Sequence, residues 1–160
     1  MLAPQVRAEL DRHQITYEVI THPAVYTATE ADQYMQGHQF AKTKNLFLHD
    51  KTNYFLVVLL EDKRLSMKEL RLILGCGRLS FANTEQLKMK LGVIPGAVSP
   101  LNLLNNKEHD ISLVMDRNIL ETHQIIGCHP NDNRQTVILS LGALLDLVKA
   151  WGNQVQIVKL

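Results

Sequence analysis

The sequence has few cysteines, no long hydrophobic run and almost no net charge, and each scarcity excludes a class of protein. Two cysteines in 160 residues are too few for the disulfide framework of a small secreted domain. The longest apolar run, Tyr54–Leu60, is far shorter than the roughly 20 residues that cross a bilayer. A net charge of +1 excludes a strongly basic surface, so any contact with nucleic acid must depend on a local patch.

Motifs of the commonest enzyme classes are absent as well. The chain has no P-loop, no G-x-G-x-x-G, no HExxH and no G-x-S-x-G, the usual signatures of nucleotide binding, zinc proteases and serine hydrolases. Seven histidines suggest metal binding, but no two stand four residues apart. His123 and His129 have an unconvincing spacing for zinc ligands. We therefore expect no metal and no cofactor.

The composition is that of a globular protein. Hydrophobic residues make up 46% of the chain and charged residues 21%. The length suits a single domain, 1–160, that buries a core without disulfides or metals. The N-terminus lacks a basic stretch followed by an apolar run, so we expect no secretory signal. Free thiols suit a reducing cytoplasm, and no membrane partner is expected.

Periodicity and capping signals predict helices between shorter strands. Ser66 with Glu69 and Asn83 with Gln86 are capping-box pairs, and each begins a helix that a glycine ends. Further helices are predicted at Gln5–Arg12, Thr29–Met35, Arg117–Thr122 and from Ser140 to Trp151. Strands are predicted at Ile15–Ile20, Lys44–His49, Tyr54–Leu60, Ile111–Met115, Ile125–Cys128, Thr136–Leu139 and Val155–Val158. Their irregular order indicates a single α+β domain with a mixed β-sheet and surrounding helices.

The segment IIGCHPNDNRQTVIL, residues 125–139, places a titratable ring and several amides between two predicted buried strands. Pro, Asn and Asp are turn formers, so one interpretation is a tight turn. The other puts His129 at the mouth of a pocket. Cys128 beside it could be a nucleophile, but neighbours on a strand point to opposite faces. A buried thiol is therefore the favoured interpretation of Cys128.

Two other stretches allow both a structural and a functional interpretation. In GVIPGAVSP, residues 92–100, small residues and prolines hold an extended loop open, and Gly96 permits close approach of a ligand. The loop could equally be a plain connection. Lys42 and Lys44 begin a strand, where lysines are usually solvated edge charges. Alternatively, Lys44 enters a cavity and anchors a carbonyl or phosphate oxygen; spacing alone favours the solvated interpretation.

Five stretches in order, THPAVYTATEA, AKTKNLFL, RLSFA, LGVIPGAVSPLNLLNN and HPNDN, resemble the free-standing prolyl-tRNA editing domains of the YbaK-like superfamily. The similarity runs from about His22 to the last helix. Within that superfamily the chain most resembles the branch called ProXp-ala, whose members deacylate alanyl-tRNA-Pro. The resemblance implies the editing-domain fold and a trans-editing hydrolase in which water attacks the aminoacyl ester of mischarged tRNA-Pro.

The resemblance also implies a site. Catalytic roles fall on Lys44, Gly96 and His129. The implied substrate-binding residues are Asn45, Ala97, Val98, Ser99, Pro100 and Asn133. Arg134 and Gln135 stand where relatives often have small hydroxyl residues, and Leu101 stands where an aromatic residue is frequent; these departures concern specificity rather than fold.

The chemistry expected of such a site is modest. A synthetase pocket sized for proline cannot strongly reject alanine, because a methylene or two changes binding by only about 1–3 kcal/mol each. An activated ester needs a positioned water and charge stabilisation, for which the backbone N–H groups of Gly96–Ser99 are candidate oxyanion donors. Lys44 would anchor and polarise the substrate, and His129 would line the pocket.

The expected partners follow from the same resemblance. They are the acceptor end of aminoacylated tRNA-Pro and prolyl-tRNA synthetase, and the oligomeric state stays open. Phosphate contacts are expected from scattered cations, among them Lys42, Lys63, Arg64 and Arg71. Two alternatives remain: a non-catalytic relative that binds tRNA or a partner, and a cysteine hydrolase that uses Cys128.

Overall fold

The structure is a computed structural model that describes residues 3–23 and 40–160. Its helices are α1 Pro4–Arg12, α2 Met67–Leu74, α3 Thr84–Leu91, the 3-10 helix Pro100–Asn105, α4 Arg117–Thr122 and α5 Leu141–Ala150. Its strands are β1 Tyr17–Thr21, β2 Thr43–His49, β3 Tyr54–Leu60, β4 Ser80–Phe81, β5 Ile111–Asp116, β6 Ile125–Cys128, β7 Gln135–Ser140 and β8 Val155–Val158. The helix predicted at Thr29–Met35 lies outside the described residues.

Local capping explains where the middle helices begin and end. Ser66 Oγ accepts the Glu69 N–H at the start of α2, and Asn83 forms a full capping box with Gln86 at the start of α3. Both helices end at a glycine in the left-handed conformation, where a Cβ would be strained. These helix predictions are confirmed.

The strands form two sheets. The larger has the order β4-β2-β3-β5-β8, in which β4-β2 and β2-β3 are antiparallel and β3-β5 and β5-β8 are parallel. The smaller has the order β1-β7-β6 and is antiparallel throughout. The predicted α+β class with a mixed sheet and surrounding helices is confirmed, with the addition that the strands divide into a mixed and an antiparallel sheet.

The core lies on both faces of the larger sheet. On one face, Phe47 and Leu56 pack in a cluster that also contains Ile126 and Val137 of the smaller sheet. On the other face, Leu48 packs with residues of β3 and with Leu70 of α2. Successive strand residues point to opposite faces, so the side chains of β2 alternate between the Phe47 cluster and the Leu48 cluster. No helix in the described ranges is both long and apolar enough to cross a membrane.

Two elements depart from the sequence predictions. The stretch predicted as an extended loop as far as Pro100 ends at Ser99, because Ser99 and Asn102 form a reciprocal cap that begins the 3-10 helix with Pro100 at its first position. Strand β4 was not predicted. Its two residues, Ser80 and Phe81, are too few to show a periodicity and are ordered by pairing with β2.

Candidate functional site

The two sheets are joined where the chain enters β2. Ala41 forms an isolated parallel bridge with Ile126 of β6, and the Ala41 N–H donates to the Ile125 carbonyl at 2.8 Å. Gly127 permits this approach, since a Cβ there would lie 2.5 Å from Phe40 Cε2. The glycine is thus required by the packing of the segment that precedes β2.

This bridge brings the starts of the two predicted functional segments together. Because the pairing is parallel, both chains leave it in the same direction. Lys44 is three residues beyond Ala41, and His129 is three residues beyond Ile126. Both residues are therefore the same number of residues along the chain from the bridge.

Neighbouring positions on β2 face opposite ways. Asn45 shares a face with Phe47, which packs in the core between the sheets, whereas Lys44 shares the other face with Leu46. Lys44 is half-buried and sits at the second position of β2. Its side chain therefore leaves β2 on the face opposite to the one from which Asn45 contacts the Gly96 loop.

Asn45 connects β2 to the loop that precedes the 3-10 helix. Its Nδ2 donates to the Val98 carbonyl at 3.2 Å. Its Oδ1 is buried and finds no hydrogen-bond donor among the described residues. The two predicted substrate-binding residues are therefore in contact, and Asn45 retains an acceptor for a further donor.

Gly96 occupies a tight turn. The Ala97 N–H donates to the Ile94 carbonyl at 3.2 Å, Pro95 follows Ile94, and Gly96 has a φ of +91°. Proline and then a residue of positive φ at the two central positions is the pattern of a type II turn. Gly96 is exposed, whereas the Ala97 side chain is buried in the core.

The turn and the helix cap engage two of the four candidate oxyanion donors. The Ala97 N–H is held by the turn, and the Ser99 N–H donates to Asn102 Oδ1 at 2.6 Å. Within the ranges that the structure describes, the N–H groups of Gly96 and Val98 have no acceptor. The oxyanion hypothesis therefore narrows to Gly96 and Val98. Ser99 and the buried Pro100 support the loop from its far end.

His129 is held in one tautomer. Its Nδ1 lies 2.9 Å from the Gln135 carbonyl, and because a carbonyl only accepts, Nδ1 carries the proton and Nε2 keeps a lone pair. Burial and the nearby His22 ring lower the pKa of His129 below its ordinary value, against the opposing effects of the Gln135 carbonyl and Asp132. His129 is therefore a neutral acceptor at pH 7.

His22 lies beside His129, with 6.3 Å between the ring centroids. Its Nδ1 donates to the Pro23 carbonyl at 2.8 Å, so its Nε2 accepts the Thr136 hydroxyl proton at 2.9 Å. His22 and Thr136 are buried, whereas His129 is half-buried. Sequence reasoning did not single out this pair, although His22 opens the first of the motifs that resemble editing domains.

His129 lies at the start of a turn that spans residues 129–134. Asn131 has a φ of +65°, which asparagine tolerates better than most residues. Asp132 accepts both the Arg134 N–H and its guanidinium, the latter at 3.0 Å. Asn133 is buried. The two interpretations of this stretch are thus compatible, since the turn residues hold the loop that carries the imidazole.

Cys128 points into the core. It is buried, and burial raises the pKa of its thiol to about 12 despite a hydrogen bond with Ser99. A protonated, enclosed thiol is a poor nucleophile, so the geometry disfavours the cysteine hydrolase. In the described part of the chain, no three His, Cys, Asp or Glu side chains are grouped to hold a metal ion.

Comparisons with known proteins show which family the chain resembles. Residues 22–147 match the sequence profile of a family described as the aminoacyl-tRNA editing domain. The chain is 36% identical over 157 residues to the prolyl-tRNA editing protein ProX of Acetoanaerobium sticklandii, covering 97% of this chain and 95% of that protein. It is also 36% identical over 162 residues to the mouse prolyl-tRNA synthetase associated domain-containing protein 1, covering 96% and 95%.

A solved structure supports the fold. A protein described as a candidate trans-editing enzyme for prolyl-tRNA synthetase superposes with a TM-score of 0.75 at 22% identity, covering 100% of this chain and 99% of that one. At that identity the likeness concerns the fold alone.

Proposed function

Because this chain belongs to the family of aminoacyl-tRNA editing domains, we propose that it hydrolyses the aminoacyl ester of mischarged tRNA-Pro, with alanyl-tRNA-Pro as the preferred substrate. The observation that supports this proposal is the bridge between the sheets, close in sequence to the proposed site residues. Lys44 and His129 both lie three residues beyond the Ala41–Ile126 pair, and Asn45 binds the loop that carries Gly96.

In the proposed mechanism the protein positions a water and stabilises charge. The neutral His129 presents its Nε2 lone pair, which accepts a hydrogen bond from a water or a substrate hydroxyl. The N–H groups of Gly96 and Val98 receive the developing oxyanion, a role in which one donor is typically worth about 100-fold or more in rate. Lys44 supplies the positive charge near the carbonyl or the terminal phosphate.

Selectivity in this proposal rests on size. A second site that admits alanine and excludes proline completes a double sieve where the synthetase pocket alone discriminates weakly. The buried Asn45 Oδ1 is an acceptor suited to the substrate's ammonium group. Asn133 and the 97–100 segment would shape the wall. The proposed macromolecular partners are the acceptor end of tRNA-Pro and prolyl-tRNA synthetase.

The test is single-turnover deacylation of alanyl-, seryl- and prolyl-tRNA-Pro by the wild-type chain, with Cys128→Ala as a control variant. We expect hydrolysis of alanyl-tRNA-Pro, little hydrolysis of prolyl-tRNA-Pro and an unchanged rate for Cys128→Ala. Binding of tRNA-Pro without hydrolysis of any ester would establish the non-catalytic alternative. Loss of activity in Cys128→Ala without loss of folding would restore the cysteine hydrolase.

A further inference from the structure

Asn102 lies in the 3-10 helix and joins the two loops of the candidate site. It is completely buried. Its Oδ1 accepts the Ser99 N–H at 2.6 Å, and its Nδ2 donates to Asn131 Oδ1 at 2.9 Å. One amide group therefore contacts the end of the Gly96 loop on one side and the His129 turn on the other.

Asn131 is a fixed partner for this amide. Its Oδ1 accepts a second hydrogen bond, from Asn105 Nδ2 at 3.1 Å, and Asn105 also donates to the Leu91 carbonyl at 2.8 Å. With two donors converging on it, the Asn131 side chain has one favourable amide orientation. Its positive φ sets the direction of the turn two residues after His129.

Resting on the proposed function, we propose that Asn102 is a positioning residue that sets the separation between the Gly96–Val98 oxyanion donors and the His129 imidazole. Asn102 does not touch the substrate; it acts through Ser99 and Asn131. The reasoning is geometric. A displacement of about 1 Å between groups that must act together can lower a rate roughly 100-fold, and these hydrogen bonds are direct links from one loop to the other.

The residue that caps the end of the same helix offers a matched control. Asn106 is also buried and makes a comparable set of hydrogen bonds: it donates to Asp110 at 2.9 Å and accepts from Asn153 at 2.9 Å and the Ile111 N–H at 3.3 Å. Those partners belong to the start of β5 and the loop before β8, away from the His129 turn. Asn106→Ala therefore reports the cost of losing a buried amide without loosening the two loops.

The experiment compares Asn102→Ala, Asn131→Gly, the double variant and Asn106→Ala in single-turnover deacylation of alanyl-tRNA-Pro. Glycine suits the positive φ at Asn131, so that variant removes the side chain with little backbone strain. We expect each of the two site variants to lower the rate constant about 10- to 100-fold with the apparent affinity for tRNA unchanged. The loss of rate in the double variant should be well below the product of the two single losses, because both substitutions break the same Asn102–Asn131 hydrogen bond. Asn106→Ala should keep the wild-type rate below its melting temperature.

Three outcomes would overturn the inference while leaving the proposed function intact: multiplying effects in the double variant, equal losses in Asn102→Ala and Asn106→Ala, or a loss confined to tRNA affinity. Should Asn102→Ala fail to fold, Asn102→Asp keeps the volume and the Ser99 contact but turns a carboxylate oxygen towards Asn131 Oδ1. A wild-type rate in that variant would sink the idea. Absence of any hydrolysis by the wild-type chain would instead overturn the proposed function, and with it this inference.

Discussion

The proposed function assigns different roles to Lys44 and His129. Lys44 is the second residue of β2 and faces away from Asn45, whereas His129 directly follows β6 and its Nδ1 donates to the Gln135 carbonyl. The two proposed roles differ, because a lysine side chain only donates hydrogen bonds and His129 Nε2 accepts them. Single substitutions should therefore affect different steps.

Lys44→Ala should lower the single-turnover deacylation rate about 100-fold or more while leaving the fold intact, since the strand keeps its apolar neighbours. The matched control is Lys51→Ala, which removes a lysine from the turn at the other end of β2. Near-wild-type turnover of Lys44→Ala would show that Lys44 is a solvated edge charge, as its spacing alone suggests.

His129→Ala should slow hydrolysis of alanyl-tRNA-Pro and relax the exclusion of the larger prolyl group, because the lost imidazole leaves space. His49→Ala is the control: His49 is also half-buried and its Nδ1 donates to a carbonyl, that of Asp50, at 3.0 Å. Single-turnover rates on both substrates, with melting temperatures, distinguish the outcomes. Unchanged rates on both substrates would remove His129 from the site.

The same residue predicts a pH dependence with a definite sign. Because burial lowers the pKa of His129 in the folded state, the unfolded chain binds its proton first as pH falls. The stability linked to this group is complete above the unfolded pKa of about 6.5 and is lost below it, as pH falls towards the folded pKa. Wild-type melting temperature should therefore fall more between about pH 6.5 and 5 than that of His129→Ala; parallel curves would contradict the lowered pKa.

At the scale of elements, one glycine shapes the loop before the 3-10 helix and another allows the two sheets to approach each other. Gly96 has a positive φ in a turn, and Gly127 makes room for Phe40 at the bridge. A side chain at Gly96 would strain the backbone conformation, whereas a side chain at Gly127 would clash with Phe40. Each has a comparison glycine elsewhere in the chain.

Gly96→Ala should reduce deacylation, because a Cβ strains the turn that orients the Gly96 and Val98 donors. Gly75→Ala is its control, since Gly75 also has a positive φ, of +64°, and a Cβ there would meet no atom within 4 Å. Both should lose about 1–2 kcal/mol of stability. Only Gly96→Ala should lose activity in excess of its loss of folded protein, as measured by rate and by denaturant unfolding. Equal activity in the two variants would show that the conformation of the Gly96 turn does not affect catalysis.

Gly127→Ala should separate the bridge between the sheets. The added Cβ would lie 2.5 Å from Phe40 Cε2 and 3.0 Å from Thr136 Cγ2, and relieving such crowding costs about 1–3 kcal/mol. Gly142→Ala, in an exposed turn of α5 with its nearest atom at 3.8 Å, should be neutral or slightly stabilising. Denaturant unfolding of the two variants measures this difference, and equal stabilities would show that Phe40 is free to move aside.

Elements with local signals were predictable, and contacts between distant residues were not. The capping residues at Ser66 and Asn83 and the strands at Lys44–His49 and Tyr54–Leu60 have signals in adjacent residues, and the structure contains these elements. The Asn102–Asn131 link joins residues 29 apart, so no local pattern reveals it. The spacing from Ser99 to Asn102 did carry a capping signal that would have shortened the predicted loop. Lys44 and His129 stay predictions, supported by their equal distance from the bridge.

For the whole molecule, charge bears most directly on the binding of tRNA. The net charge is +1, and some of the cations counted as phosphate contacts are engaged within the fold. Lys63 Nζ lies 2.6 Å from Asp116 Oδ2, and that carboxylate is fully buried. Asp116 Oδ1 also accepts the N–H groups of Asn118 and Leu160. Lys63 is therefore better explained as the partner of a buried carboxylate than as a phosphate ligand, whereas Arg64 is exposed.

This difference gives a prediction for salt dependence. Affinity for tRNA-Pro should be weak and should fall with salt, with a slope of roughly one in log salt per phosphate contact. Arg64→Ala should reduce that slope by about one without loss of stability. Lys63→Ala should leave the slope unchanged and destabilise the fold, because it leaves Asp116 buried without its cation. Fluorescence titrations of tRNA-Pro between about 50 and 200 mM salt, with unfolding curves for each variant, measure both quantities. A slope that falls in Lys63→Ala but not in Arg64→Ala would reverse the assignment, and an affinity independent of salt would mean that the aminoacyl end dominates recognition.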